Sequence, residues 1–483
     1  MQQVKGVASI PAEMQVKSHA DDREANRTPL SFFTNPKRKR NLLNMAGTGK
    51  ARCCALLLQV ALLCCSGGVL SATVTISNVS PRRNSTGDVI DAHDGTTSQW
   101  GGPGSPWYYY AMGYGMCKQD SQLCNNNNHC GYGYSWIGVW RSPNLATNGS
   151  WEMVRGEARE EGGGSGGWPK AAVYFRVHVV YRKAVDKYIM WVNVDGSPHC
   201  PAQQCGAGQM CACYFVGESD TPDGAFRYVG AAAGRYVGGG DFDIITDNVN
   251  DTAFIIYTAT QQGHVMSVEK LSDSWLNTSF VPQENNTMTS GSSTHSTPPP
   301  DPAPIPGISS GIIGNRFVEA PAIFRRKGTY YALFGECCCF CAFGSGIGVY
   351  TASHPLGPWR SHEANIGCSA TDPPKPGCGC GMHGGSPAPL QCANLEGTSV
   401  TKAQQNFVIP FHTARTSGGN ETSDNVSVME YLWTGDMWQS SSDGYKAHDL
   451  QYTYLLEWAL DESSGLDLPR AVVWKDSFEI DII

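Results

Sequence analysis

Five pairs of aromatic strands recur along the chain, and this repeat constrains the fold more than any other feature. In chain order the first strands read WYYYAMGYG, DKYIMWVNVD, TAFIIYTAT, GTYYALFGE and QNFVIPFHTA. They begin 66 to 79 residues apart, at Trp107, Asp186, Thr252, Gly328 and Gln405. Each is followed by a second strand that leads into a polar turn and another aromatic residue. Alternation with a period of two between turn residues predicts antiparallel hairpins.

Five long units of this kind favour a propeller over a solenoid, whose repeats are shorter and tighter. A propeller packs one small antiparallel sheet per unit around an axis and tolerates long loops between strands. The 55 Gly, the 28 Pro and a charged fraction of only 16% also suit a turn-rich β protein. The sequence therefore predicts an all-β, five-bladed β-propeller with long Cys-, Gly- and Pro-rich loop insertions over residues 73–483.

Two segments interrupt the repeat. The stretch STHSTPPPDPAPIPG, residues 293–307, is too rich in proline for a central strand, because proline has no N–H to donate to a sheet. It is predicted to be an exposed linker loop between the third and fourth blades. Residues 367–392 are rich in Gly, Cys and Pro, and they predict a loop between the fourth and fifth blades.

Residues 1–72 have the composition of a targeting segment. A basic run, Lys37–Arg40, precedes the apolar stretch CCALLLQVALLCCSGGVLSA, residues 53–72. This stretch predicts either a signal peptide cleaved near Ala72 or a signal anchor that holds the chain in a membrane. Met45 begins an ordinary signal-peptide start, so the first residue could be Met1 or Met45. Both alternatives predict that residues from 73 onward enter the secretory pathway, as a secreted or a membrane-tethered protein.

Asn-x-Ser/Thr motifs agree with this location. Eight of them follow the apolar segment, and N-glycans on several are expected. They lie at Asn78, Asn84, Asn148, Asn250, Asn277, Asn285, Asn420 and Asn425.

The 19 Cys are clustered, which predicts local disulfide bonds in an oxidising compartment. Expected pairs are Cys117 with Cys124 or Cys130, and pairs within the Cys200–Cys213 cluster. The run CCCFC, residues 337–341, leaves zinc binding open as an alternative.

The charge distribution argues against a nucleic-acid partner. The chain has 35 Lys and Arg against 43 Asp and Glu, a net charge of −8. No concentrated basic face occurs beyond the N-terminal segment, and a nucleic-acid-binding surface requires one.

One carboxylate stands in an unusual setting. In VEAPAIFRRKGTYYALFGE, residues 318–336, Glu319 lies among small and apolar residues just before Pro321 and a strand. It is either a catalytic acid held at the end of a strand or a solvated charge at a strand edge.

The order of motifs along the chain resembles glycoside hydrolase family 43. The resemblance rests on VEAPAIF, GTYYALFG, YTASHPLGPW, SDTPDGAF and KYIMWVN, and on DGYKAHDLQY and DSFEIDI near the C-terminus. It extends over about Ile76–Ile483 and is closest to the eukaryotic branch related to the galactan β-1,3-galactosidases. It implies a five-bladed propeller that hydrolyses polysaccharide or oligosaccharide side chains, in the class of arabinofuranosidases, xylosidases and galactosidases. It implies no cofactor, although a structural calcium ion stays open.

The resemblance further implies an exo-acting, inverting enzyme with three catalytic carboxylates. Glu319 matches the general acid, and Asp241 in GGGDFDIITD matches the carboxylate that orients this acid and raises its pKa. Asp94 in VIDAHDGTTSQW matches the family's base at the start of blade one. The galactanase-like branch commonly uses a Gln in blade five instead, which Gln404 matches. The base is therefore either Asp94 or Gln404.

The chain departs from that branch in blade two. Phe175 and Val177 in YFRVHVVY stand where the branch has Glu and Pro, so the match to a galactan substrate is incomplete. Inversion requires two carboxyl groups about 6.5–9.5 Å apart, with room for a water between them. The apolar neighbours of Glu319 and a nearby Asp241 would keep the acid protonated near neutral pH.

Other residues are candidates for substrate binding. They are His93, His178, Gln404 and Trp107, with Trp136 and Trp191 as further aromatic candidates. Aromatic side chains can stack on sugar rings, but they also fill the blades of a propeller, and buried histidines often only bond the backbone.

Two other functions remain open from sequence. One is a propeller that has lost catalysis and binds glycans or proteins in the secretory pathway or at the cell surface. The other is a thiol-rich, metal-binding extracellular protein.

Overall fold

The computed structural model describes residues 71–113, 135–160, 167–169, 173–201, 212–280, 303–314, 316, 318–336, 345–369, 398–399, 401, 403–416, 425–437 and 449–483. All of them belong to one compact unit, Gly68–Ile483. They form strands almost throughout, with a short 3-10 helix at Thr260–Gln262. Among these residues no helix is long and apolar enough to cross a bilayer.

The described strands in the N-terminal two thirds of the chain include those of the first three blades. They are β1 (Ala72–Ser77), β2 (Arg83–Asn84), β3 (His93–Gln99), β4 (Trp107–Gly113), β5 (Trp136–Ser142), β6 (Asn148–Arg155), β7 (Val173–Arg182), β8 (Lys187–Asp195), β9 (Ala212–Ser219), β10 (Arg227–Ala232), β11 (Gly239–Asp247), β12 (Thr252–Ala259), β13 (Val265–Lys270) and β14 (Ser309–Ile313).

The remaining described strands include those of blades four and five. They are β15 (Val318–Arg326), β16 (Thr329–Glu336), β17 (Gly348–Ala352), β18 (Arg360–Asn365), β19 (Cys368–Ser369), β20 (Thr398–Ser399), β21 (Gln404–Thr416), β22 (Asn425–Asp436), β23 (Gln451–Leu455), β24 (Trp458–Asp461), β25 (Leu466–Pro469) and β26 (Ser477–Ile482).

Consecutive antiparallel strands form the blades. Blade one is β3–β6, blade two β7–β10, blade three β11–β14 and blade four β15–β18, and blade five has β21–β23 in the described part of the chain. The innermost strands β3, β7, β11, β15 and β21 each lie against the next, and β21 lies against β3. These contacts close a ring, so the predicted five-bladed β-propeller is confirmed.

An apolar layer fills each of the five junctions between neighbouring blades in the described residues. The aromatic strands of the repeat supply these layers, because alternate side chains on each strand point to opposite faces of the blade. Burial of such side chains stabilises the fold by about 1.5–3 kcal/mol each. The junction of blades five and one also contains the two ends of the domain.

Strands β1 and β26 pair in antiparallel fashion along their length, from Ala72 opposite Ile482 to Ser77 opposite Ser477. Their apolar residues pack with blades one and five, so the pair covers the junction at which the ring closes. Asn78 continues β1 and is fully buried. Its amide nitrogen donates to the carbonyl oxygens of Thr453 and Lys475, and its side-chain oxygen accepts the Thr453 amide.

The buried, fully engaged amide of Asn78 corrects one prediction, because in the folded protein it is not accessible as a glycan acceptor. Asn148, Asn250 and Asn277 are exposed on the surface. Asn285 and Asn420 lie outside the described residues.

The position of the proline-rich segment is a second correction. Strand β14 follows this segment and is the fourth strand of blade three, paired with β13. Residues 293–307 therefore interrupt blade three rather than join blades three and four. Within the segment, residues 293–302 lie outside the described residues, and 303–307 form no strand.

Cys200 and Cys213 are joined by a disulfide bond at the start of β9. This confirms a pair within the predicted Cys200–Cys213 cluster. The other predicted pairs and the CCCFC run lie outside the described residues, as does the apolar segment apart from its last two residues.

Candidate active site

Each inner strand has a bulge near its start, where two of its residues face one residue of the neighbouring strand. Bulges redirect side chains and are frequent beside active sites. In each inner strand, regular pairing with the neighbouring strand stops at one residue and resumes three residues later. These flanking residues are His93 and Thr96, Phe175 and His178, Gly239 and Phe242, Glu319 and Ala322, and Gln405 and Val408. Five blades thus repeat one local structure around the axis.

The backbone at these bulges explains some of the residues found there. Asp94, Arg176 and Ala320 have φ angles of 50°, 51° and 57°, in the left-handed region that side chains other than glycine rarely adopt. Gly95 follows Asp94 because a Cβ at this position would lie 1.8 Å from the carbonyl oxygen of Tyr110. Such strained positions are often found at functional sites.

Arg176 joins the blades at the axis. It is fully buried, and its backbone amide donates to Asp94 Oδ2 at 3.0 Å. Its Nη1 donates to Asn406 Oδ1 at 2.9 Å and its Nη2 to the carbonyl oxygen of Pro321 at 2.8 Å. Its Nε lies 4.0 Å from Asp241 Oδ1. One side chain from blade two therefore contacts blades one, three, four and five.

Asp94 faces this guanidinium. Its Oδ1 lies 3.3 Å from Arg176 Nη1, and only 3% of its side chain is exposed. Its backbone amide donates to Asp436 Oδ2 at 2.8 Å, and the same oxygen accepts Asn406 Nδ2 at 2.7 Å. Burial raises the pKa of Asp94, Asp241 and Asp436 add to this, and Arg176 opposes it. Burial likewise raises the pKa of Asp436 to about 6.

Asp241 lies between the axis and the more open part of the site. Gln404 Nε2 donates to Asp241 Oδ2 at 2.9 Å, so the two predicted residues from blades three and five are in contact. Burial raises the pKa of Asp241, and the charge of Glu319 adds to this while Arg176 opposes it. The side chain is 16% exposed.

Glu319 is paired with a histidine that was not predicted from the sequence. Its Oε1 lies 2.5 Å from Nδ1 of His264, with 13% of the Glu319 side chain and 26% of the His264 side chain exposed. Glu319, Asp241 and His264 are the more accessible ionisable groups of the site, whereas Asp94 and Arg176 lie beneath them. The structure thus brings together four predicted residues, each from the inner strand of a different blade. They are Asp94, Asp241, Glu319 and Gln404.

His178 and His93 are buried and paired with carboxylates. His178 Nδ1 lies 2.9 Å from Asp243 Oδ1, and the ring packs edge-on against Phe407. Asp243 Oδ2 accepts the backbone amide of Ile323, so this pair ties blades two, three and four. His93 Nε2 lies 3.7 Å from Asp449 Oδ2. Their contacts are structural, and a role in substrate binding stays a prediction.

The predicted stacking role of Trp107 is wrong for the folded protein. Trp107 is 1% exposed and packs in the apolar layer between blades one and five. Trp191 is also fully buried, and its Nε1 donates to the carbonyl oxygen of Trp275. Neither ring is accessible to a sugar. Trp136 is partly exposed and remains a candidate.

Sequence reasoning missed Arg176, His264, Asp436 and Asn406. Arg176 had one usable signal, since it is a cation within the mostly apolar stretch YFRVHVVY, next to Phe175. His264 stands in a turn and has no such signal. In the described residues no three His, Cys, Asp or Glu side chains are grouped so that they could hold a metal ion.

No protein-family model matches the chain, and no curated protein matches it. Solved structures are similar in fold. The exo-β-1,3-galactanase from Phanerochaete chrysosporium with galactose has a TM-score of 0.50 and 17% identity, over 84% of this chain and 69% of that one. An exo-β-1,3-galactanase from Clostridium thermocellum has a TM-score of 0.50 and 18% identity, over 84% and 67%. The chain therefore has the fold of these enzymes, as the family 43 resemblance predicted.

Proposed function

We propose that the protein is an exo-acting, inverting glycoside hydrolase that removes terminal sugars from a galactan-type polysaccharide by general acid and base catalysis at the propeller axis. The observation that carries this proposal is that Asp94 and Asp241, from two blades, face the guanidinium of Arg176, while Glu319, from a third blade, lies close enough to Asp241 to act on its charge. The similarity in fold to the exo-β-1,3-galactanases supports a galactan substrate. A secreted or membrane-tethered location would give the enzyme access to such a substrate.

Glu319 is the general acid in this proposal. A general acid must keep a proton near the working pH and reach the leaving oxygen. Glu319 is mostly buried between Asp241 and His264, and its charge disfavours ionisation of Asp241. Its partial exposure leaves it accessible to a substrate.

Asp241 positions the other groups. Its carboxylate accepts the amide of Gln404 and acts electrostatically on Glu319. The water that attacks the sugar is held by Asp94 or by Gln404. Asp94 is the stronger base, while Gln404 lies nearer the accessible groups because it contacts Asp241 directly.

A second function is favoured by one specific observation. Both carboxylate oxygens of Asp94 face Arg176, and its side chain is nearly inaccessible. If this arrangement also holds with a sugar bound and Gln404 cannot replace Asp94, the propeller binds galactans without cleaving them.

One experiment separates the two functions. The purified full-length protein is incubated with β-1,3-galacto-oligosaccharides and with a panel of aryl galactosides, arabinofuranosides and xylosides. We expect galactose to be released from chain ends, with the α-anomer first in the ¹H NMR spectrum, because inversion of a β-linkage gives that anomer. Glu319→Gln, which preserves side-chain size, is the inactive control. Early β-anomer would contradict inversion, and calorimetric binding without release of any sugar would establish the non-catalytic alternative.

A further inference from the structure

His264 lies in a turn of blade three. Hydrogen bonds join this turn to the start of β15, the strand of blade four that carries Glu319. The turn comprises the 3-10 helix Thr260–Gln262, Gly263 and His264, just before β13. The carbonyl oxygen of His264 accepts the amide of Val318 at 3.0 Å. Arg316 Nη1 donates to the carbonyl oxygen of Gln262 at 2.6 Å. Two contacts therefore hold the turn against the residues that lead into β15.

The backbone of His264 is strained in a way that serves this contact. Its φ angle is 53°, in the left-handed region, which costs a residue other than glycine about 1–3 kcal/mol. The conformation brings Nδ1 to 2.5 Å from Glu319 Oε1. At that distance a hydrogen bond joins the two atoms, and it requires one proton between them.

The charged groups around the imidazole favour a bound proton. Glu319 on β15 and Asp241 on β11 both act on it with negative charge. Arg316 contacts the same turn at the carbonyl oxygen of Gln262, and Arg176 faces Asp241. Burial lowers the pKa of His264, but the hydrogen bond to Glu319 and the charges of Glu319 and Asp241 outweigh it, so that the pKa is raised.

We propose that His264 is a positioning residue that stores the acid proton of Glu319, so that the two side chains share one proton across the Nδ1 to Oε1 contact. The inference rests on the proposed hydrolase function. In the reaction the O–H bond of Glu319 breaks and a new O–H bond forms on the leaving oxygen. The site is left with a neutral imidazole and a carboxylate. The pair regains a proton from solvent at the exposed part of His264, and the base releases to solvent the proton that it took from the attacking water, so that no net proton is consumed.

The shared proton predicts a specific dependence of activity on pH. The pair loses its proton with a pKa above the ordinary histidine value of about 6.5, whereas a glutamate without this partner starts from about 4.3. Activity should therefore persist to higher pH than Glu319 alone could support.

The test compares kcat/KM against pH for the wild type and His264→Gln on a galacto-oligosaccharide. We expect the basic limb of the variant profile to move to lower pH by about one unit or more, with a smaller loss below that pH. His412→Gln, far out on β21 and bonded to Ser427, is the matched control and should leave the profile unchanged. A loss of the same size at every pH would overturn the proposal, because a purely structural role affects all pH values alike.

A second readout does not depend on activity. With ¹³C-labelled histidine, His264 is titrated by NMR in the wild type and in Glu319→Gln, and its signal is identified by its absence in His264→Gln. We expect its pKa to fall by about one unit or more in Glu319→Gln. Identical titration in both proteins would refute proton sharing, even if no substrate were ever hydrolysed. Proton sharing without hydrolysis would instead refute only the proposed function.

Discussion

At the scale of single residues, one guanidinium organises the axis. Arg176 faces the carboxylates of Asp94 and Asp241. It also donates to neutral oxygen atoms of blades four and five. Asp94, Asp241 and Asp436 are buried close together, so they cannot all be ionised without a large free-energy cost, and burial raises the pKa of each. Removal of Arg176 would leave Asp94 without its counter-charge, a change that costs about 3–5 kcal/mol in buried ion pairs.

The base is tested by Asp94→Asn, which keeps an oxygen that can accept the Arg176 amide but removes the negative charge. If Asp94 activates water, we expect kcat/KM to fall by about 10²–10⁴, and to fall equally for oligosaccharides and for dinitrophenyl glycosides. Water must be activated whatever the leaving group, so the losses should match. Gln404→Ala is the comparison. Retained activity in Asp94→Asn with equal losses in Gln404→Ala would assign the water to Gln404.

The residues predicted from sequence share one property, which is their position at the start of an inner strand. Asp94, Asp241, Glu319 and Gln404 could be located because motif order fixes those starts. Arg176 and His264 could not, since their roles depend on contacts between blades that lie far apart in the chain. Trp107 was misassigned because an aromatic residue on a strand has the same pattern whether it fills a core or lines a cleft.

At the scale of elements, the bulge in each inner strand matters most. It places two consecutive residues of each strand outside the regular pairing, and Asp94, Arg176 and Asp241 come from these positions, with Glu319 next to one of them. Periodicity predicts strands but not bulges, because one extra residue hardly changes an alternating pattern.

The fifth repeat shows that periodicity also does not predict which strand of a blade a motif forms. Its first predicted strand is the inner strand β21, whereas in blades one to four the corresponding motif is the second strand.

Blade three contains a buried carboxylate that the proposed chemistry does not use. Glu269 on β13 is fully buried, and its oxygens accept the Arg235 amide at 2.9 and 3.1 Å and the hydroxyl of Tyr257. These contacts tie β13 to β12 and to the segment that enters blade three. Burial outweighs the hydrogen bonds and raises the pKa of Glu269 to about 7.

This pKa predicts a pH dependence of stability. Because the folded pKa lies above the unfolded value of about 4.5, the folded state retains a proton that the unfolded state has lost. The stabilisation is complete below about pH 4.5 and is lost as the pH rises through about 7. We expect Glu269→Gln to reduce the fall in unfolding free energy between these pH values by up to about 3 kcal/mol.

Urea unfolding at pH 4.5, 6 and 8 measures the effect. Glu152→Gln, at an exposed ion pair with Arg141, is the control and should keep the wild-type dependence. A Glu269→Gln curve parallel to the wild type would show that this carboxyl group has no raised pKa in the folded protein.

At the scale of the whole molecule, ring closure makes a site out of distant segments. The β1–β26 pair and the buried amide of Asn78 close the junction of blades five and one, and this junction keeps β21 against β3. Gln404 and Asn406 thereby reach the residues of blades one to four. The fold could be predicted because five hairpins of similar length have few packing solutions. The proline-rich insertion was misplaced because its composition excludes a strand without showing which strands it joins.

The central claim is that the propeller axis carries out glycoside hydrolysis with Glu319 as the acid. It is tested most directly by kcat/KM of Glu319→Gln on two substrates that differ in leaving group. For a galacto-oligosaccharide, whose leaving sugar needs a proton, we predict a loss of about 10²–10⁴. For a dinitrophenyl glycoside, whose leaving group needs almost none, the loss should be much smaller. Unchanged hydrolysis of the oligosaccharide, or equal losses on both substrates, would contradict the account.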